Sequence, residues 1–212
     1  MKLPVKLPET LPLFPIDGAL LLPRGRLPLQ VFEPRFLAMV DDCLKTDDRM
    51  IGLIQTEKGK GETTYQNVGC AGRIVGFSET ADGRYMITLS GVSRYRPLDF
   101  RESFKPYLVT TPSWTGFERD VAGPEHDPEF PRDDFIPLLQ KYFHMQELET
   151  DWENLSGAED ELLINSLSML CPFEPEEKQA LLEAADLKTR RETLQALMEM
   201  AIHAGSQKEQ IQ

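Results

Sequence analysis

The chain has 212 residues, of which 41% are hydrophobic and 27% charged, with three cysteines and a formal net charge of −12. That balance excludes collagen-like, coiled-coil and wholly disordered chains, and the length allows one large domain or two small ones. Residues 1–115 carry 15 Lys and Arg against 13 Asp and Glu, whereas residues 116–212 carry 8 against 22. The second half therefore repels phosphate backbones, and the first lacks the dense positive charge on which nucleic-acid affinity rests.

From Leu3 to Pro34 seven prolines separate short apolar runs, Leu11–Phe14, Ala19–Leu22 and Leu27–Phe32. Proline cannot donate to a strand ladder, so these read as short or edge strands joined by bends. Pro34 then opens an amphipathic helix to about Lys45, with Phe36, Leu37, Val40, Cys43 and Leu44 at helical spacing. Strand signals return at Met50–Gln55 and, after a polar loop at Gly59–Thr64, at Gly69–Ser78. Asp82-Gly83 marks a hairpin turn, with a return strand at Tyr85–Leu89 and further strands at Val92–Phe100 and Tyr107–Thr111. Six to eight short strands around one helix favour a small closed or nearly closed barrel over a parallel α/β sheet.

Pro112–Pro131 reads as a loop rich in proline, glycine and charge, and beyond it the period becomes helical. Phe135, Leu138, Leu139, Tyr142 and Phe143 mark one helix, in which Pro137 fits only within the first turn. Three more are expected over Ala158–Leu170, Pro175–Ala185 and Leu187–Ala204, the last ending at Gly205. The fold class is thus α+β: a β-barrel subdomain over 1–115, a linker over 116–130, a helical bundle over 131–205 and a flexible tail over 206–212. Within the Ala158–Leu170 helix, Leu163, Ile164, Leu167, Leu170 and Cys171 share one arc, with Leu162 and Met169 nearly opposite. Such a helix is either central to the bundle or has a second side, Leu162 and Met169, that lines a groove for an apolar peptide.

Catalytic patterns are missing from the sequence. There is no phosphate loop and no His-Glu-x-x-His, and His126, His144 and His203 have no ligand spacing, so neither a metal nor a cofactor is expected. Ser90-Gly91 and Ser93 lack the frame of a serine nucleophile, and the acidic pairs at 41–42, 47–48 and 133–134 suit capping or solvation. Cys43, Cys70 and Cys171 are distant and form no Cys-x-x-Cys pair, which fits buried thiols in a reducing cytoplasm. Prolines interrupt the start of the chain and its longest apolar run is short, so neither a secretory signal nor a membrane span is expected. At Arg94-Tyr95-Arg96, alternation places Tyr95 on one sheet face and solvated arginines on the other.

Leu11-Pro12-Leu13-Phe14-Pro15, Leu22-Pro23 and the run from Leu27 to Phe36 are followed by Gly69-Cys70-Ala71-Gly72-Arg73-Ile74, Asp82-Gly83-Arg84-Tyr85 and Gly91-Val92-Ser93-Arg94-Tyr95. In order and spacing this resembles the amino-terminal substrate-binding domain of Lon-type ATP-dependent proteases. The helical half is similar through Lys178-Gln179-Ala180-Leu181-Leu182-Glu183 and the spacing of Asp186, Arg190 and Leu194.

The resemblance implies a PUA-like barrel followed by a helical bundle, and a free-standing domain without the ATPase or peptidase modules. It implies a non-enzymatic module that binds unfolded or apolar polypeptide segments, as an adaptor to a protease or chaperone, with no oligomeric state indicated. Phe32, Glu33, Arg35 and Phe36 form the densest part of the signature. Glu33 can accept backbone N–H groups at the helix start while Phe36 anchors the helix, or the cluster can bind a ligand. Arg94 divides in the same way between anchoring a strand and facing a ligand. Alternatives are RNA binding, which the charge opposes, and an enzyme acting on a small metabolite, which would need a pocket with a convergent acid and base.

Overall fold

The computed structural model describes residues 6–57 and 63–209. The chain divides into two compact units, Met1–Gly123 and Pro124–Gln212. Among the described residues no helix is long and apolar enough to cross a membrane.

The first unit is built on β1 (Leu11–Pro15), β2 (Arg26–Val31), α1 (Pro34–Leu44) and β3 (Met50–Ile54), with the short pair β4 (Thr56–Glu57) and β5 (Thr64–Tyr65). It continues through β6 (Gly69–Glu79), β7 (Tyr85–Pro97), β8 (Val109–Thr110), β9 (Pro112–Ser113) and a 3-10 turn at Glu118–Val121. The main sheet is mixed, in the order β2-β7-β6-β3-β1-β8, with β1 parallel to β3 and β9 paired to β7. Leu11, Leu13, Met50, Ile54, Ala71 and Tyr95 form a buried core cluster. Pro28 is tolerated because β2 lies at an edge of the sheet, where a missing N–H breaks no central ladder.

The sheet does not close into the expected barrel. The strand path ends at β8 on β1, and the next residues turn away to pair with β7 as β9. The break at Thr111 follows from a side chain twelve residues earlier and from the residue after it. The Thr111 N–H donates to Asp99 Oδ1 at 2.7 Å, and Pro112 has no N–H to continue a ladder.

Two other strand expectations change. Ala19–Leu22 is irregular rather than a strand, although Leu20, Leu21 and Leu22 are buried; Arg24 turns the chain with φ 66°. The expected break between Leu89 and Val92 is absent, and β7 runs unbroken through Ser90 and Gly91. Glycine is required there by a close approach: a Cβ on Gly91 would lie 2.0 Å from the Leu22 carbonyl oxygen. Most of the expected Gly59–Thr64 loop lies outside the described residues.

The second unit holds α2 (Arg132–Met145), α3 (Trp152–Ser156), α4 (Asp160–Leu170), α5 (Pro175–Glu183) and α6 (Leu187–Glu209). Helix α6 packs against α2, α4 and α5. Pro137 lies in the second turn of α2, not the first, so the Asp133 carbonyl loses its helical N–H partner. Helix α6 passes through Gly205 to Glu209, so residues 206–209 of the expected flexible tail are helical; 210–212 lie outside the described residues. A Cβ at Gly205 would meet Met145 Sδ at 2.6 Å, so this glycine serves packing rather than termination.

Candidate functional site

The junction of β2 and α1 sorts its signature residues by burial. Val31 is buried at the end of β2, Phe32 beyond it is 63% exposed, and Pro34 takes the first helical position, where its fixed φ suits the turn. Phe36 points inward, 4% exposed, with its ring centroid 4.5 Å from that of Phe14. The expected capping by Glu33 does not occur. Its backbone occupies the N-cap, but its carboxylate accepts Arg35 Nε at 2.9 Å and Nη2 at 2.8 Å. A charged neighbour two residues away competes successfully with backbone N–H groups for that carboxylate. The Arg35 guanidinium also lies 4.4 Å from the Phe36 ring centroid. Phe32 and Arg35 therefore face outward while Phe36 holds the helix in place.

Sequence reasoning did not select the apolar residues on the neighbouring hairpin. Val31 pairs with Tyr85 across β2 and β7, and the Tyr85 ring meets Phe77 edge-on at 5.0 Å. Phe77 is 45% exposed, and Val75 and Met86 are also exposed. Val75 sits where the β6–β7 register shifts, so the bulge turns it outward. The usable signal was the length of the Gly69–Ser78 run, whose end projects beyond the core.

Arg94 corrects the expectation of a solvated arginine. Its Nε and backbone N donate to Asp120 Oδ2 at 3.0 and 2.8 Å, and its Nη2 donates to Oδ1 at 2.9 Å. Both side chains are buried, and the guanidiniums of Arg94 and Arg96 lie 4.9 and 4.7 Å from the Phe117 centroid. Tyr95 faces the core as expected, and burial pushes its phenol well up from the ordinary value. Strand β7 is thus covered on both faces, by the core at Tyr95 and by the 3-10 turn at Arg94. Alternation gave the faces correctly; it could not reveal that the residues after Thr115 fold back to supply Asp120.

In the second unit, α4 packs against α5 and α6 and buries Leu163, Ile164, Leu167 and Met169. Met169 is 9% exposed and belongs to this interior, whereas Leu162 is 60% exposed. Leu170, placed by helical arithmetic on the inner arc, is instead 80% exposed, because it is the last residue of a helix that Pro172 prevents from continuing.

A cleft of about 370 Å³ lies beside the C-terminal end of α1, lined by Lys6, Thr10, Asp42, Thr46, Asp48 and Tyr107 among others. Lys105 and Tyr107 each donate to Asp42 at 2.7 Å and hold its carboxyl below the ordinary 3.8. Burial pushes the Cys43 thiol up to about 12, and Cys171 in the second unit is raised to the same level for the same reason. Both thiols stay protonated at neutral pH, the inert form.

The chain matches the family model of the ATP-dependent protease La (LON) substrate-binding domain over residues 10–200. It is 25% identical over 205 residues to Lon protease 2 of Myxococcus xanthus, covering 91% of this chain and 24% of that protein. It is 28% identical over 110 residues to the Lon protease of Syntrophus aciditrophicus, covering 49% and 14% respectively. The chain thus spans less than a quarter of the length of these curated relatives. Among solved structures, a Lon N-terminal domain protein from Xanthomonas campestris is similar with a TM-score of 0.62 and 27% identity, covering 88% of this chain and 97% of that one. The N-terminal domain of a Mycobacterium avium complex Lon protease shares the fold with a TM-score of 0.63 at 15% identity, covering 90% and 98%. The chain belongs to the LON substrate-binding domain family.

Proposed function

We propose that this chain is a non-catalytic module that recognises unfolded or apolar polypeptide segments and presents them to a protease or chaperone. The single observation that carries this reading is the family match from residue 10 to residue 200, across both the sheet and the helices. Supporting it, large apolar side chains stand exposed in both units: Phe32, Val75, Phe77 and Met86 in the first, and Leu162 and Leu170 in the second. Exposed apolar side chains gain by covering themselves with similar groups from a partner. We assign Phe32, Glu33 and Arg35 to the contact surface, and Phe36 and Arg94 to holding that surface in shape. The helices of the second unit serve as a bundle that carries Leu162, with Met169 supporting it from the interior. Buried free thiols suit a reducing compartment, the cytoplasm.

A surface that accepts many sequences cannot optimise its contacts with each, so affinity is modest, with Kd on the order of 10–100 μM. Titration of the chain into a fluorescently labelled, reduced and alkylated unfolded polypeptide, read by anisotropy, tests this. Saturable binding that weakens several-fold in Phe32→Ser is expected. Absence of saturation at several times that concentration range contradicts the reading.

A further inference from the structure

Helix α4 carries a second surface with a charge character of its own. Leu162, Ser166 and Leu170 recur every four residues and form one stripe about 12 Å long. The two leucines are 60% and 80% exposed, and Ser166 between them is partly exposed and small, which leaves a shallow gap. Glu159, exposed at the N-cap, lies at the head of the same stripe.

The charge in the sequence around this helix is predominantly negative, and the cation that reaches α4 from α6, Arg190, is buried, its Nη1 donating to Asn165 Oδ1 at 3.0 Å. From residue 142 to residue 187 there are 12 acidic residues and one cation, Lys178. Lys178 is 8% exposed, so little of its ammonium reaches the surface. Arg132 reaches the N-terminal end of α4, bonding the Ala158 carbonyl and standing 3.6 Å from Asp160. The last turn has no basic residue, and the helix dipole places partial negative charge beside Leu170. A hydrophobic stripe in a negative field fits a partner that is apolar and positive together.

We propose that the Leu162–Ser166–Leu170 face of α4 docks a basic amphipathic polypeptide segment. One apolar side chain of that segment seats over Ser166 between the two leucines, while its Lys and Arg residues face the surrounding carboxylates. This rests on the polypeptide-recognition reading above and deepens it: it names the partner's chemistry and the helix that reads it. Apolar anchors give the affinity of such a contact, and long-range attraction gives the encounter rate and the selection against acidic segments.

The test uses the full chain and two labelled synthetic peptides with identical leucine positions, one with lysines at every polar position and one with glutamates. The lysine peptide is expected to bind about tenfold or more tightly than its acidic twin at low salt, with the gap shrinking as salt is added. The double substitution Leu162→Ser with Leu170→Ser should weaken the lysine peptide about tenfold while the circular dichroism spectrum and melting temperature stay as in the parent, since both side chains are exposed. Glu159→Gln should reduce the salt dependence without touching the apolar contact. Equal binding of the two peptides, or lysine-peptide binding unchanged by the double substitution, overturns the proposal. If the unfolded polypeptide binds and the lysine peptide does not, this proposal falls and the broader reading stands. If neither binds, both fall.

Discussion

Two ion pairs in the first unit have the same chemistry and opposite fates. Arg94 and Asp120 meet with side chains 2% and 0% exposed, joined by three hydrogen bonds that include a backbone N–H. Arg35 and Glu33 meet at a similar distance with side chains 54% and 44% exposed. The first pair ties the 3-10 turn to the middle of β7, and removing one partner would strand the other in a low-dielectric interior. The second pair lies in water, where its Coulomb gain is nearly cancelled by solvation and side-chain entropy. Signature residues thus divide by burial into those that keep the surface in shape and those that a partner can touch.

Asp120→Ala breaks that contrast most sharply. It leaves the Arg94 guanidinium buried without its carboxylate and should cost about 3–5 kcal/mol of stability in denaturant titration. A loss below about 1 kcal/mol would mean that water reaches Arg94 and that the pair is no different from the exposed one. The adjacent phenylalanines make the same comparison without charge. Phe36→Ala should cost about 3–5 kcal/mol through the cavity left against Phe14, whereas Phe32→Ser should lower binding and leave the melting temperature nearly unchanged. Arg35→Ala, at the exposed pair, should change stability by less than about 1 kcal/mol.

The smallest effect is one of pH. The folded chain holds Asp42 ionised more firmly than the unfolded chain does, through Lys105 and Tyr107. Its contribution is complete above the ordinary 3.8 and is lost as pH falls below that value through the depressed folded pKa. Asp42→Asn should therefore lower stability at neutral pH slightly and flatten this part of the acid limb, as read by denaturation at a series of pH values.

Local chemistry was legible in the sequence where one residue decides an outcome. Pro34 and Pro175 open α1 and α5 as expected, and the Asp82-Gly83 turn joins β6 to β7, with Gly83 at φ 78°. The failures share a cause: a residue read for its local preference was placed by a distant partner. Gly91 reads as a strand break but admits Leu22, and Gly205 reads as a helix stop but admits Met145. Thr111 ends a ladder because Asp99 takes its N–H. Of the site residues, Phe36 was placed on the buried helix face by its spacing, whereas Phe32, equally apolar, is assigned to solvent only by packing. Arg94 could be placed on a face by alternation, yet its partner lies 26 residues away, in what reads as a loop.

The most direct measurement is amide NMR of the full chain titrated with an unfolded polypeptide. Saturable shifts are expected at Phe32, Phe77 and Met86 and along Leu162–Leu170, with Arg94 and Asp120 still. Saturable shifts confined to the Asp42 cleft, or no saturable shift at all, would contradict recognition of polypeptides through exposed apolar surfaces.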